Sequence, residues 1–259
     1  MDKSLLVRIF GFPATLIHGD TLVLDRWLWL RQRLPVTANG DSLIDIGCGT
    51  GAFSIGAAKR GYQALGLSWD ERNQMEAKKR AQICGVNASF KVCDVRELHL
   101  FDEYKGRFDV AICLENVEHI LDDRKLIIDI ATCLKPGGFF LLTTPNFYYK
   151  AMGKGDNGPF EKIETGAHVR RGYTPAMLRE LCNASGLICD EISYCSGFFS
   201  QKMTGFLRKA GDIHPLVGWI AILPFRPLAL ILDLITQRWT SFPSFSICML
   251  AQKPRFTSV

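Results

Sequence analysis

Asp45 stands two residues ahead of Gly47, and Gly49 and Gly51 follow at the same spacing in Leu43-Ile44-Asp45-Ile46-Gly47-Cys48-Gly49-Thr50-Gly51-Ala52. Glycines set between a β-branched run and a helical one let backbone N–H groups approach a ligand at a helix N-terminus. The run also satisfies the dinucleotide pattern G-x-G-x-x-G/A, so on the glycines alone a nicotinamide cofactor is an open alternative. Asp45 adds a sign. At the end of a strand its charge would repel a pyrophosphate and attract an ammonium, which favours a ligand with an amino-acid end, a sulfonium and a ribose. A plainer role, in which Asp45 only binds loop N–H groups, fits the same spacing.

The elements that must carry this loop alternate. Apolar, β-branched runs at Ser42–Ile46, Gln63–Leu67, Ser89–Val92, Phe108–Leu114, Phe139–Thr143 and Leu187–Tyr194 predict strands. Helical stretches fall between them at Ala52–Arg60, Glu71–Cys84, Arg124–Leu134 and Pro175–Ser185, with Gly61 and Gly85 as stops. Alternation of this kind calls for parallel strands with right-handed crossovers. The expected fold is α/β: a Rossmann-like doubly wound sheet of seven strands whose last, Ser244–Gln252, is antiparallel. Residues 1–40 form a helical arm with an amphipathic aromatic helix at Thr21–Leu34. Residues 41–195 and 242–259 form the core, and 196–241 a helical insertion before the last strand.

Four motifs in order make the chain resemble the class I S-adenosylmethionine-dependent methyltransferases. They are Leu43 to Gly51; Phe90-Lys91-Val92-Cys93-Asp94-Val95; Phe108-Asp109-Val110-Ala111-Ile112-Cys113-Leu114-Glu115-Asn116-Val117-Glu118-His119-Ile120; and Leu134-Lys135-Pro136-Gly137-Gly138-Phe139-Phe140. The resemblance implies S-adenosyl-L-methionine as cofactor. Asp45, Gly47, Gly49 and Gly51 would hold its methionine portion, with Cys48 in the same loop. Asp94 and Val95 would meet the adenine, Leu114 would offer backbone beside the sulfonium, and Glu115 would begin the wall of the substrate cleft. One position departs: the second strand ends in Gly66-Leu67-Ser68-Trp69-Asp70, with Ser68 where an acidic ribose ligand is usual. This is similar to the cyclopropane-synthase-like branch, in which a hydroxyl and a later amide share the ribose. Ser68, Trp69 and Asn73 or Gln74 would then serve, and Asp70 is either a ribose contact or a helix N-cap.

The sulfonium is an activated methyl donor, so such a protein must hold a nucleophile in line, and a hydroxyl acceptor also needs a base. His168, in Gly166-Ala167-His168-Val169-Arg170-Arg171, is the first candidate, since the connection after the fifth strand leaves the ligand-binding edge of the sheet. The same connection carries Phe147, Tyr148 and Tyr149 as an aromatic wall. His119 is the second candidate, as base or as packing, and His18 an outlying one; His99 and His214 have no assigned part.

Composition closes off other classes. Over 259 residues, 47% are hydrophobic and 22% charged, which suits a packed core and excludes disorder. A net charge of +5 is too mild to indicate nucleic acid. The nine cysteines contain no C-x-x-C pair and no zinc spacing, so reduced thiols and no metal are expected. No run approaches the ~20 apolar residues of a membrane span, and a cytoplasmic location is expected. The insertion 196–241 has both ends at the ligand-binding edge, so it sits over the cleft or beside it. Its content favours an apolar or aromatic small-molecule acceptor, and its basic fringe admits peripheral membrane contact. O-methylation is the expected reaction, with N- or C-methylation open.

Overall fold

The structure is a computed structural model that describes residues 4–17, 21–211 and 215–255. In chain order the elements are α1 (Leu5–Phe10), α2 (Leu22–Arg33), β1 (Ser42–Ile46), α3 (Ala52–Ala58), β2 (Gln63–Ser68), α4 (Glu71–Cys84), β3 (Ala88–Val92) and β4 (Phe108–Leu114). They continue with α5 (Asp123–Cys133), β5 (Leu134–Pro145), α6 (Pro175–Ala184), β6 (Ile188–Cys195), α7 (Phe198–Gly211), α8 (Pro215–Ile222), α9 (Arg226–Trp239) and β7 (Ser246–Gln252). His18 and His214 lie outside the described residues.

The seven-stranded sheet runs β3-β2-β1-β4-β5-β7-β6, with β7 antiparallel to both neighbours. Strand order reverses between β1 and β4. The connections leaving these two strands diverge to opposite sides, which opens a crevice at their carboxyl ends. Side-chain alternation divides the core accordingly. Ile44 and Ile46 face the layer of α5 and α6, whereas Leu43 packs with Trp27, Trp29 and Leu30 of α2 and Ala52 and Ala57 of α3. Asp45 shares Leu43's parity and therefore lies under α3.

Local signals explain the helix ends. Asp70 caps α4 through its carboxylate, which accepts from the Arg72 and Asn73 N–H groups at 2.8 and 3.3 Å, and Gly85 ends the helix in the left-handed region. β5 is longer than the Phe139–Thr143 run, because Leu134 already pairs with Phe108 and the register shifts before Val110 pairs with Phe139. Gly137, at φ +82°, allows that irregularity.

Ion pairs fix the arm and the insertion to the sheet. From α2, Arg26 pairs with Glu115 at 3.0 Å and Arg33 with Glu191 of β6. Asp233 of α9 caps α7 by accepting from the Phe199 and Ser200 N–H groups. Buried Arg226 of α9 pairs with buried Asp25 of α2. Among the described residues no helix is long and apolar enough to cross a membrane, and all nine cysteines are free thiols.

Candidate active site

At the crevice the carboxyl ends of four strands meet in a cleft of about 490 Å³. Gly47 and Gly49 come from the loop after β1, Ser68 and Trp69 from the end of β2, Asn73 from α4, and Asp94 and Val95 from the end of β3. Glu115, Asn116, His119 and Ile120 follow β4, and Glu164, Thr165 and Gly166 close over from the connection after β5. Of the sequence-derived residues, Asp45, Cys48, Gly51, Leu114 and His168 do not line this cleft. No described residue of 196–241 lines it either, so the described part of the insertion stands beside it.

The glycine loop is tight for two different reasons. Gly47, Gly49 and Gly51 all have positive φ, at 81°, 52° and 79°. A Cβ on Gly47 would lie 2.3 Å from Asn116 Cγ, and one on Gly51 2.7 Å from the Phe90 ring, but one on Gly49 would meet nothing within 4 Å. Gly49 thus leaves its space to the cleft. Gly49→Ala is expected to lower stability by about 1–2 kcal/mol through backbone strain alone. Gly47→Ala, which adds the overlap with Asn116, is expected to lower it more; equal melting temperatures for the two variants would contradict this geometry.

Beneath the loop Asp45 is 1% exposed, and its carboxylate accepts from Ser54 Oγ at 2.6 Å. Burial pushes its pKa up to about 7, against the opposing pull of the Ser54 hydroxyl and N–H. Cys48 also turns inward: Gln74 Nε2 donates to its sulfur at 3.1 Å, and burial raises the thiol well above its usual range. Gln74 is therefore part of the loop's underside, and Asn73 is the amide that reaches the cleft beside Ser68.

At the far end, Arg96 donates to both Asp94 oxygens from Nε at 2.9 Å. Those hydrogen bonds hold the Asp94 carboxyl below its usual range. The same guanidinium reaches Glu164 at 2.5 Å, so Arg96 fastens the 164–166 segment across the cleft. Trp69 stands against that segment, its ring 3.8 Å from where a Gly166 Cβ would be. Sequence reasoning missed Arg96 and Glu164. They are 68 residues apart, and no local spacing signals the pairing.

The wall after β4 concentrates titratable groups. Glu115 is held by Arg26 and accepts from Thr143 Oγ1 at 2.9 Å and Ser246 Oγ at 3.2 Å. These partners make it a fixed anchor between α2 and the cleft. The His119 and His168 rings meet edge to face at 4.7 Å. Each places Nε2 3.9 Å from Glu118 Oε1. Glu118 is buried; burial first and then the Glu115 charge push its carboxyl upward. Burial, with His119 next, pulls His168 down to about 4, so it is neutral near pH 7. Glu118 Oε1, His119 Nδ1 and Asn116 Nδ2 are buried without a hydrogen-bond partner. Glu118, His119 and His168 each bring one ligand atom within 4.8 Å of the others, a donor set that could hold a metal ion. The aromatic wall is dispersed: Tyr149 is buried against Phe245, whereas Phe147 and Tyr148 face outward.

A family described as methyltransferase domain matches residues 23–192. A protein of Marinobacter nauticus named ubiquinone biosynthesis O-methyltransferase is 35% identical over 111 residues, which cover 43% of this chain and 47%, about half, of that relative. The protein of the same name from Pseudomonas aeruginosa is 32% identical over 190 residues, covering 71% of this chain and 78% of its own length. Among solved structures, the [4+2]-cyclase SpnF superposes with a TM-score of 0.61 at 21% identity, over 92% of this chain and 83% of its own. At that identity the likeness is one of fold.

Proposed function

This chain belongs to the methyltransferase-domain family of the class I S-adenosylmethionine-dependent type, and from that premise we propose that it transfers a methyl group to a hydroxyl of a small, largely apolar acceptor. The observation that carries the reading is the convergence of Gly47, Gly49, Ser68, Asn73, Asp94 and Glu115 on one cleft. Its chemistry suits the cofactor. The open face over Gly49 and the unpartnered Asn116 amide border the amino-acid end, and the Asp45 charge lies below it. Ser68 and Asn73 offer a hydroxyl and an amide to the ribose, with Trp69 alongside. Asp94 keeps acceptor capacity beyond Arg96 and would take the adenine amine, since a carboxylate has about four lone-pair sites, and Val95 would meet the ring. Cys48 and Gly51 shape the loop from beneath, and Leu114, at the end of β4, would offer backbone beside the sulfonium.

S-adenosylmethionine supplies the electrophilic methyl group, and the protein aligns it with the acceptor oxygen and receives a proton. The edge-to-face imidazoles of His119 and His168 are the proton acceptor, His119 on the cleft and His168 behind it. Glu118 faces both rings, and Glu115, fixed by Arg26, fills the wall. The relatives named ubiquinone biosynthesis O-methyltransferase support an acceptor in the class of hydroxylated quinone precursors. Such an acceptor fits a cytoplasmic protein that touches a membrane through 196–241. Calorimetry is expected to detect binding of S-adenosylhomocysteine and none of NAD. Host extract incubated with isotope-labelled methyl donor is expected to yield a labelled apolar product. NAD binding, or cofactor binding with no labelled product from any extract, would refute the reading in favour of an oxidoreductase or a non-catalytic scaffold.

One observation favours a second reading. Glu118 Oε1 is unpartnered between two imidazole nitrogens, so the same three side chains would hold a divalent cation, which would polarise the acceptor hydroxyl. Turnover unaffected by EDTA supports the imidazole base. Turnover lost to EDTA and restored by Mg²⁺ or Mn²⁺ supports the cation.

A further inference from the structure

Helices α7, α8 and α9 lie between β6 and β7 and beyond residue 192, where the family match ends, and none of their described residues lines the cleft. Their surface is unusual. On α9, Leu228, Ile231, Ile235 and Trp239 recur at spacings of three, four and four, which aligns them on one helix face. All four are exposed, Trp239 by 84%, and Leu234 at 70% widens the stripe. Leu223 and Phe225, exposed just ahead of α9, extend it. Monomers rarely leave a contiguous apolar surface of this kind to water.

Charge lies along one flank. A groove of about 750 Å³, lined by Tyr148, Lys150, Phe198 and Phe242 together with Thr236 and Thr240 of α9, adjoins a second of about 350 Å³. The second shares Lys150 and Phe242 and adds Lys202, Phe206 and Lys209 of α7. Among the described side chains of α7, α8 and α9 the exposed charges are Lys202, Arg208 and Lys209, all positive. Arg208 is paired with Asp156. The acid Asp233 and the base Arg226 are both buried. Exposed Leu, Ile and Trp beside lysines suit a lipid interface, where alkyl and indole groups enter the acyl boundary and ammonium groups meet phosphate.

We propose that this face docks on an anionic bilayer surface, the α9 stripe entering the interface and Lys150, Lys202 and Lys209 binding lipid phosphates. Charge complementarity selects this occupant over a second copy of the chain. A two-fold pair would present the same lysines from both sides, and these helices expose no acid to answer them. The inference deepens the reading of an apolar acceptor, because a lipid-like acceptor would reach the cleft from the surface on which the protein sits.

Flotation of the full chain with vesicles tests it. The protein is expected to float with phosphatidylcholine vesicles containing phosphatidylglycerol and not with phosphatidylcholine alone. Raising salt from about 0.1 to about 0.5 M should release it, as the Debye length shortens from about 10 Å toward a few ångström. Two variants on different elements, Ile231→Glu/Trp239→Glu and Lys202→Glu/Lys209→Glu, are each expected to bind about tenfold more weakly or worse. Wild-type protein that stays with the buffer, or variants that float undiminished, would overturn the proposal. So would sedimentation showing that the α9 variant converts a dimer to a monomer while vesicle binding is unchanged. S-adenosylhomocysteine affinity without vesicles reads the methyltransferase proposal separately: retained affinity with lost flotation leaves that reading standing.

Discussion

His168→Ala lowers kcat for methyl transfer by about 10²- to 10⁴-fold at neutral pH, the usual contribution of a positioned base, and leaves S-adenosylhomocysteine affinity unchanged. Cofactor affinity is insensitive because His168 does not border the cleft that would hold the cofactor. Turnover is sensitive because His168 is neutral, with its pKa pulled to about 4, and stands edge to face with the cleft-lining His119. An imidazole with so low a pKa is a weak base when alone. Glu118 faces both rings, its Oε1 3.9 Å from each Nε2; with its carboxyl pushed up to about 8 by burial, it supports the cation only in its ionised fraction, which grows as pH rises. His119→Ala is expected to lose at least as much, and free imidazole should restore part of the rate to either variant. An undiminished rate in both removes the pair from the chemistry; loss of cofactor affinity alongside the rate would assign them to packing instead.

Asp45→Asn weakens S-adenosylmethionine binding by roughly ten- to a hundredfold, the scale of one charge-assisted contact, without unfolding the chain. Asn retains an oxygen for the Ser54 hydroxyl and N–H, so the capping of α3 survives and the charge is what is lost. The pH dependence supplies an internal control. Burial raises Asp45 from 3.8 to about 7 in the folded chain. Its contribution to fold stability is thus fully present below about pH 4 and is lost as pH rises through about 7. Ammonium binding has the opposite sign, because it requires the ionised form. Cofactor affinity should therefore rise as pH increases from about 6 to about 8, and the Asn variant should lose that part of the dependence. Unchanged affinity with a lower melting temperature would make Asp45 a cap for α3 and nothing more.

Much of the cleft was legible because its parts are local. The turn after β1 needs residues that tolerate positive φ, so Gly47, Gly49 and Gly51 announce it in the sequence. Side-chain alternation along Leu43–Ile46 then fixes which face Asp45 takes. Asp70 announced a helix start, yet its position left two roles open. Only the placement of its carboxylate on the Arg72 and Asn73 N–H groups made it a cap, leaving Asn73 to reach the cleft.

The sequence by itself determined the order of strands and helices, the glycine turn and the set of candidate ligands, because periodicity and backbone strain act over a few residues. Only the tertiary structure brought Arg96 to Glu164, set Glu118 between two histidines from distant segments, and moved the insertion beside the cleft while exposing α9. Those outcomes depend on how layers pack around a twisted sheet. Burial and pairing across tens of residues leave no mark in local spacing, since the same Glu or His is compatible with either surroundings until the chain has closed around it.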